Sequence, residues 1–403
     1  MKKLLFTCAT LMASSAMFAQ KANVNKAMSA ITAATANPKE INYEKVAEAW
    51  ELIQPAMTDP VSSVMPDTWY IAGRVKCLYM NKMLNDRAAG IEMNMGDFFD
   101  NQYDIVTYFS KCDELEHTPN AKGKMPKEKY RTMNQTLATG PRQNLLIAAS
   151  NLVNTDSKKC IKFLDLYFES FSDSLFNGID LTAKDTMRSD AKYIYATALK
   201  TEAKSSADTT KVMKAYEEAL SSASYAKNAC FELMQIYKNK GQMDMWEKYC
   251  HMGVEKFPEE SMFPKVLIVE YMNDKKWAEA SSLCDGLIQN HPEDEWAYYN
   301  KALIEYNQEK FEAALEAFLK TTKIKDDYSD AWNAAGKAAW KLAQDNATDK
   351  ELSKKYYATA IECFEKVREL EPDKPDLWGY SLYACYNNSG NLEKSKEFKQ
   401  YVK

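Results

Sequence analysis

Tyr43, Val46, Trp50 and Ile53 recur at intervals of three and four, which draws one apolar stripe down a single helix face. The same alternation continues along the chain. Leu145, Leu152, Ile161, Leu164 and Phe168 outline one pair of helices, and Tyr193 to Leu199 with Val212, Tyr216 and Ala219 outline another. Trp69 and Gly73 stand four apart, an aromatic followed one turn later by a residue small enough for a close neighbour. The pattern predicts roughly nine helical hairpins, the first four degenerate. Residues 84–101 and 114–128, the second with His117-Thr118-Pro119-Asn120 and Lys122-Gly123-Lys124, read as long loops between helices. Segments 172–190 and 204–210 are polar and read as connectors; the chain reads as an N-terminal region, 20–190, and an array at 191–403, with a domain boundary near 180 and a continuous solenoid both open.

In that array a fixed interval appears. Pro258 and Pro292, Trp277 and Phe311, Ala280 and Ala314, and Tyr298 and Trp332 are each 34 residues apart. Trp332 to Trp378 spans 46, so the next repeat carries an insertion of 12, expected between Leu342 and Tyr356. Self-similarity at such a period is the mark of a stacked repeat, in which each hairpin is too thin to bury its own apolar face and needs its neighbour.

Trp332-Asn333-Ala334-Ala335-Gly336, with Ala314 and Phe318 closing the second helix of the unit before, resembles the tetratricopeptide repeat. Asp326 stands where that family has Pro, and Pro264 occupies an aromatic position. Units fall at 227–260, 261–294, 295–328, 329–374 and 375–403. The resemblance implies an all-α, right-handed α-solenoid of helical hairpins, degenerate in its N-terminal half. It also implies that the second, fifth, ninth and twelfth positions of each first helix face a ligand. Carried over, those positions are Asn228, Phe231, Gln235 and Lys238, then Met262, Lys265, Val269 and Met272. Trp296, Tyr299, Leu303 and Tyr306 follow, and then Asn333, Lys337 and Trp340. Aromatics supply contact area while amides and lysines can bond backbone or acidic groups, which suits an extended peptide or a helix of a protein partner. Packing between helices is the competing role for about half of these aromatics. Only Asn333 and Lys337 approach the family's carboxylate-gripping set, at shifted positions, so that ligand is not implied.

Residues 1–19 have the parts of an export leader: Lys2 and Lys3, an apolar run from Leu4 to Met12, and small residues through Ala19, with cleavage expected to leave Gln20 first. The ending Phe18-Ala19-Gln20 resembles leaders of Gram-negative Bacteroidota. The expected location is the periplasm, as a soluble chain, because Cys8 lies inside the apolar run and lacks a lipoprotein attachment box. No later stretch approaches a membrane span.

Composition narrows the function. Twelve Gly and twelve Pro are few for 403 residues, which favours long helices with short links. A net charge of −5 gives no positive field for nucleic acid. The eight cysteines after the leader form no CxxC pair and read as buried free thiols. His117, His251 and His291 are too far apart in sequence for a ligand pair, and no phosphate loop, dinucleotide turn, zinc helix or nucleophile elbow is present, so neither metal nor cofactor is expected. The expectation is a non-enzymatic scaffold that binds a protein or peptide in a groove. A carbohydrate-capture helical-repeat protein is the alternative, and an enzyme would need its site in the irregular segments around 84–141.

Overall fold

The computed structural model describes residues 20–119 and 123–402. The leader expected at 1–19 lies outside the described residues, as do Asn120 and Lys122 of the second expected loop. The chain divides into two compact units, one ending at Ala229 and one beginning at Cys230, whereas the sequence pattern divides its regions at 190.

Short polar side chains start many of the helices. Asn42, Asn94, Asp156, Asp180, Ser205, Asp294, Asp349 and Asn391 each accept a backbone N–H of the first turn, satisfying a donor that has no partner within the helix. In the first unit the helices are α1 (20–34), α2 (Tyr43–Ile53), α3 (Pro66–Ala88), α4 (Met95–Glu116), α5 (Arg131–Leu152), α6 (Ser157–Glu169), α7 (Leu181–Lys184), α8 (Arg188–Glu202) and α9 (Ser206–Ala219). The chain then enters α10 (Ala226–Asn239). In the second unit follow α11 (Met243–Lys256), α12 (Met262–Asn273), α13 (Trp277–Asn290), α14 (Glu295–Asn307) and α15 (Phe311–Ile324). They continue with α16 (Ser329–Asp345), α17 (Lys350–Leu370), α18 (Gly379–Asn388) and α19 (Leu392–Glu397).

Sequential pairing dominates both units: α3 packs on α4, α4 on α5 and α5 on α6 in the first, and α12 through α19 each pack on the next in the second. The fold is an all-α helical repeat of sequentially paired helices.

Two expectations about irregular segments are corrected. Residues 84–101 are not a long loop. α3 runs on to Ala88, Gly90 at φ 84° lets Ile91 N–H reach back to the Asp86 carbonyl (2.9 Å), and Asn94 caps α4, so only 89–94 leave the helices. Residues 204–210 are mostly helix, because Ser205 and Asp208 form a reciprocal capping box that starts α9. The insertion of 12 falls where expected, between Leu342 and Tyr356: α16 and α17 are 17 and 21 residues long, against 13 and 14 for α14 and α15, so it lengthens both arms of one hairpin.

Small residues set how closely the arms approach. A Cβ on Gly336 of α16 would meet the Phe364 ring of α17 at 2.9 Å. The same arrangement stands in the degenerate region, where Gly73 of α3 faces the Phe109 ring of α4. Tryptophans repeat too. The indole N–H of Trp69 donates to the Ser63 carbonyl and that of Trp332 to the Asp326 carbonyl, both six residues earlier and both at 2.7 Å. Each indole thus ties the entry of a first helix to the turn before it.

Candidate groove and a polar lattice

The predicted groove residues follow the first arm of successive hairpins, but they do not behave alike. Asn228 is exposed and precedes the division between the units. Phe231, Gln235, Met262 and Met272 are half-buried, and Val269 is exposed. Lys238 lies over the Trp246 ring at 4.8 Å from its centroid, with its ammonium 3.7 Å from the Glu270 carboxylate. Lys265 pairs with Asp294 at 2.7 Å and sits 5.3 Å from the centroid of Trp296. In these earlier hairpins the lysines are already matched by acids of the same wall.

Further along, five predicted residues converge. Tyr299, Leu303 and Tyr306 of α14 and Asn333 and Lys337 of α16 line one cavity of about 290 Å³, joined by Phe318, Asp330, Ala334 and Leu377. The periodicity of α14 explains its contribution, since positions 299, 303 and 306 are spaced by four and three and share a face. Gly336 lets the Phe364 ring of α17 come close to α16, while Asn333 and Lys337 of the same helix line the cavity. Lys337 is exposed and makes no ion pair among the described residues, unlike Lys238 and Lys265.

Packing does hold some of the aromatics. Tyr299 lies 5.7 Å from the Phe318 ring and 5.1 Å from that of Tyr328, and burial pushes its hydroxyl up to about 12. Tyr306 meets Phe311 edge-on at 5.2 Å. Trp340 is outside the cavity and stands 6.1 Å from Tyr380, which is exposed. Asp330 occupies the second position of its first helix, so the rule that selects Asn333 and Lys337 also reaches it. Leu377 had no such signal, because it arrives from the short turn that opens the following hairpin.

Asn333 is buried, and its amide nitrogen donates to the Leu377 carbonyl at 3.3 Å. Its Oδ1, which is enclosed, has no hydrogen-bond partner among the described residues.

The segment around 84–141 carries a different arrangement. Asp113 is fully buried and takes two bonds from Arg131, at 2.7 and 2.9 Å, and one from the Ser174 hydroxyl at 2.6 Å. Burial pushes the Asp113 carboxyl up, but the hydrogen bonds from Arg131 and Ser174 outweigh it and hold the group below the usual range. Glu116 accepts the backbone N–H groups of Lys129 and Tyr130, yet burial dominates and raises its pKa. His117 Nδ1 faces the Asp113 carbonyl at 2.7 Å and Nε2 faces the Glu128 carboxylate at 2.8 Å. The Asp113 carbonyl is the largest influence and raises the imidazole pKa above its ordinary value. Tyr130 stacks on Tyr70 at 3.9 Å and donates to Asp67, which also pairs with Lys129 at 3.0 Å. Each of these groups already has a partner, so the lattice pins 123–131 against α3 and α4.

Arg142 of α5 is likewise enclosed. Its guanidinium lies 4.8 and 4.5 Å from the centroids of Tyr167 and Phe171, and it bonds Ser170 at 2.6 Å and Asp185 at 2.9 Å. All eight cysteines of the described residues are buried and unpaired. No helix of the described residues is long and apolar enough to cross a membrane, and no group of three metal-binding side chains occurs among them.

No protein-family model and no curated protein matches the sequence. Solved structures similar to this chain include the C-terminal part of a TPR repeat-containing protein from Cytophaga hutchinsonii, at 16% identity over 64% of this chain and 99% of that one, TM-score 0.38. YrrB, described as a TPR protein with an unusual peptide-binding site, is 16% identical over 54% and 96%, TM-score 0.34. The TPR2AB domain of yeast Sti1, solved in complex with pHSP90, is 15% identical over 79% and 98%, TM-score 0.29. Likenesses this distant carry no argument about this chain beyond the helical pairing described above.

Proposed function

We propose that this chain is a non-enzymatic scaffold that holds a protein or peptide partner against the first arms of its second unit. The observation that supports this reading is the cavity between α14 and α16, where three apolar or aromatic side chains stand beside a lysine with no ion-pair partner among the described residues. An apolar body with a few polar groups at its edge is the composition of a recognition site. Its volume, about 290 Å³, is at the low end for small-molecule sites, which run to roughly 300–1,000 Å³, and so suits one anchoring side chain rather than a whole metabolite. On the strength of the leader read at 1–19, the partner in this reading is periplasmic.

The test is affinity capture of the full chain from its native cell envelope, quantified by mass spectrometry beside a Leu303→Asp, Lys337→Glu double variant. The variant is expected to keep its helical circular dichroism and to lose the partners the native chain retains. Undiminished capture by a folded variant would remove the groove from the proposal.

A further inference from the structure

The 34-residue interval assigns equivalent places to successive hairpins, and at one of them two side chains are cut back together. Trp332 follows Tyr298 by 34 residues, and 34 residues before Tyr298 the chain has Pro264. On the second arm Gly286 precedes Lys320 by the same interval, and Lys366 follows Lys320 by 46, the interval lengthened by the insertion. The later hairpins fill this place. The Lys320 ammonium lies 5.7 Å from the centroid of the Tyr298 ring. Lys366 and Trp332 are both tied to Asp326, by an ion pair at 2.9 Å and by the indole N–H donated to its carbonyl at 2.7 Å. In the earlier hairpin the ring is reduced to proline and the lysine to a hydrogen atom.

A cavity of about 150 Å³ stands there. Val254 of α11 and Pro258 just beyond it, Pro264 of α12, and Leu283, Gly286 and Leu287 of α13 are among the residues that line it. A Cβ on Gly286 would meet nothing within 4 Å, so close packing does not demand glycine at this point of α13. Glycine is also a poorer helix former than alanine, so the stability of α13 does not account for it either. An apolar cavity of roughly 150 Å³ is large enough to hold benzene. What the fold itself sets at the equivalent place is a ring, tyrosine in one hairpin and tryptophan in the next.

We propose that this cavity takes an aromatic side chain of a polypeptide partner, which occupies the place of the ring that Pro264 lacks. Leu283, Leu287 and Pro258 supply apolar walls, and Gly286 leaves open the side that lysine covers in the later hairpins. The site shares no residue with the cavity between α14 and α16, so either can fail without the other.

The experiment uses the full chain, with indole as the ring probe and isobutanol as the aliphatic control. In methyl NMR spectra the Val254, Leu283 and Leu287 signals are expected to shift saturably with indole and to stay in place with isobutanol. Gly286→Lys, which restores the residue of the later hairpins, should weaken indole at least roughly tenfold. A randomised dodecapeptide library displayed to the same chain should enrich one aromatic position. Changing that residue to alanine, or Gly286→Lys in the protein, should weaken the peptide at least roughly tenfold, as for an anchor in a packed pocket. The Leu303→Asp, Lys337→Glu variant should bind the peptide undiminished. Titration of the native chain needs no variant, so the test stands if Gly286→Lys fails to fold. Absent or unsaturable shifts, equal response to isobutanol, aliphatic anchors, no enriched peptide, or peptides indifferent to Gly286→Lys would overturn the inference. Peptides lost only in the Leu303→Asp, Lys337→Glu variant would overturn it while supporting the groove.

Discussion

In the unit ending at Ala229, Asp113, Glu116, Arg142 and Asp190 are all buried, whereas the buried polar residues from Cys230 onward are neutral among the described residues: Asn300, Thr321, Thr322, Asn333, Ser353 and Ser395. The contrast follows the connections. From α11 to α17 the links are short and similar, so alanines, Gly336 and rings such as Phe318 and Phe364 complete the core without charge. In the first unit, 117–119, 123–130 and 170–187 are largely non-helical, and their backbone groups have to be satisfied by side chains brought in from the helices. Glu116 does this for Lys129 and Tyr130. Regular hairpins therefore hold together by shape, and irregular ones by buried polar bonds whose partners cannot be removed singly.

The largest expected effect breaks one such bond. Arg142→Ala leaves Asp185 and its neighbours without their cation and should cost about 3–5 kcal/mol, as for other buried pairs cut on one side. Replacing both, as Arg142→Met with Asp185→Leu, should recover most of the loss. Urea unfolding of the full chain, with hydrogen exchange to assign the change to the first unit, measures both. Equal losses in the single and double variants would mean that the residues act separately.

Two glycines sharpen the shape side of the comparison. Gly336→Ala forces the Phe364 ring to move and should cost about 1–3 kcal/mol. Gly286, on the exposed face of α13, has nothing within 4 Å of a Cβ, so Gly286→Ala should stabilise by about 0.5–1 kcal/mol. Thermal unfolding of the two variants should therefore shift in opposite directions.

The smallest effect is one of pH. His117 is faced by Asp113, Glu128 and Arg131, and its folded pKa lies above the ordinary value of about 6.5. Its contribution is fully present below that ordinary value and is lost as pH rises through the raised one. Exchange protection around 123–131, corrected for intrinsic rate, should fall over that window and become flat in His117→Gln. Segments of the second unit should show no matching change.

How much could be read from letters follows the same division. The units from 261 to 374 were visible because Trp, Ala, Phe and Pro recur where shape alone is asked of them. Trp69 and Gly73 announced the same device in the first unit, and the structure places both in the corresponding roles. Leu84 to Ala88 misled because Asn85, Asp86 and Gly90 look like breakers, while a capped turn lets the helix run to Ala88. Buried charge was illegible, since Arg142 and Asp185 are 43 positions apart and nothing local marks either as enclosed. In the cavity, helix positions marked Tyr299, Leu303, Tyr306, Asn333 and Lys337. Leu377 came from the neighbouring hairpin, and Asn333's unmatched oxygen is a fact of three dimensions alone.

The bends between hairpin arms carry one more period. Gly241, Lys275 and Glu309 all have positive φ, at 67°, 59° and 60°, and they follow one another at the 34-residue interval. After each, the next N–H reaches back five residues, as from Lys310 to the Glu305 carbonyl at 3.0 Å. Lysine and glutamate gain nothing locally from that left-handed conformation. The flanking helices impose it, so the bend repeats faithfully while its amino acid drifts, and this chain keeps time in a torsion angle where its alphabet has lost the beat.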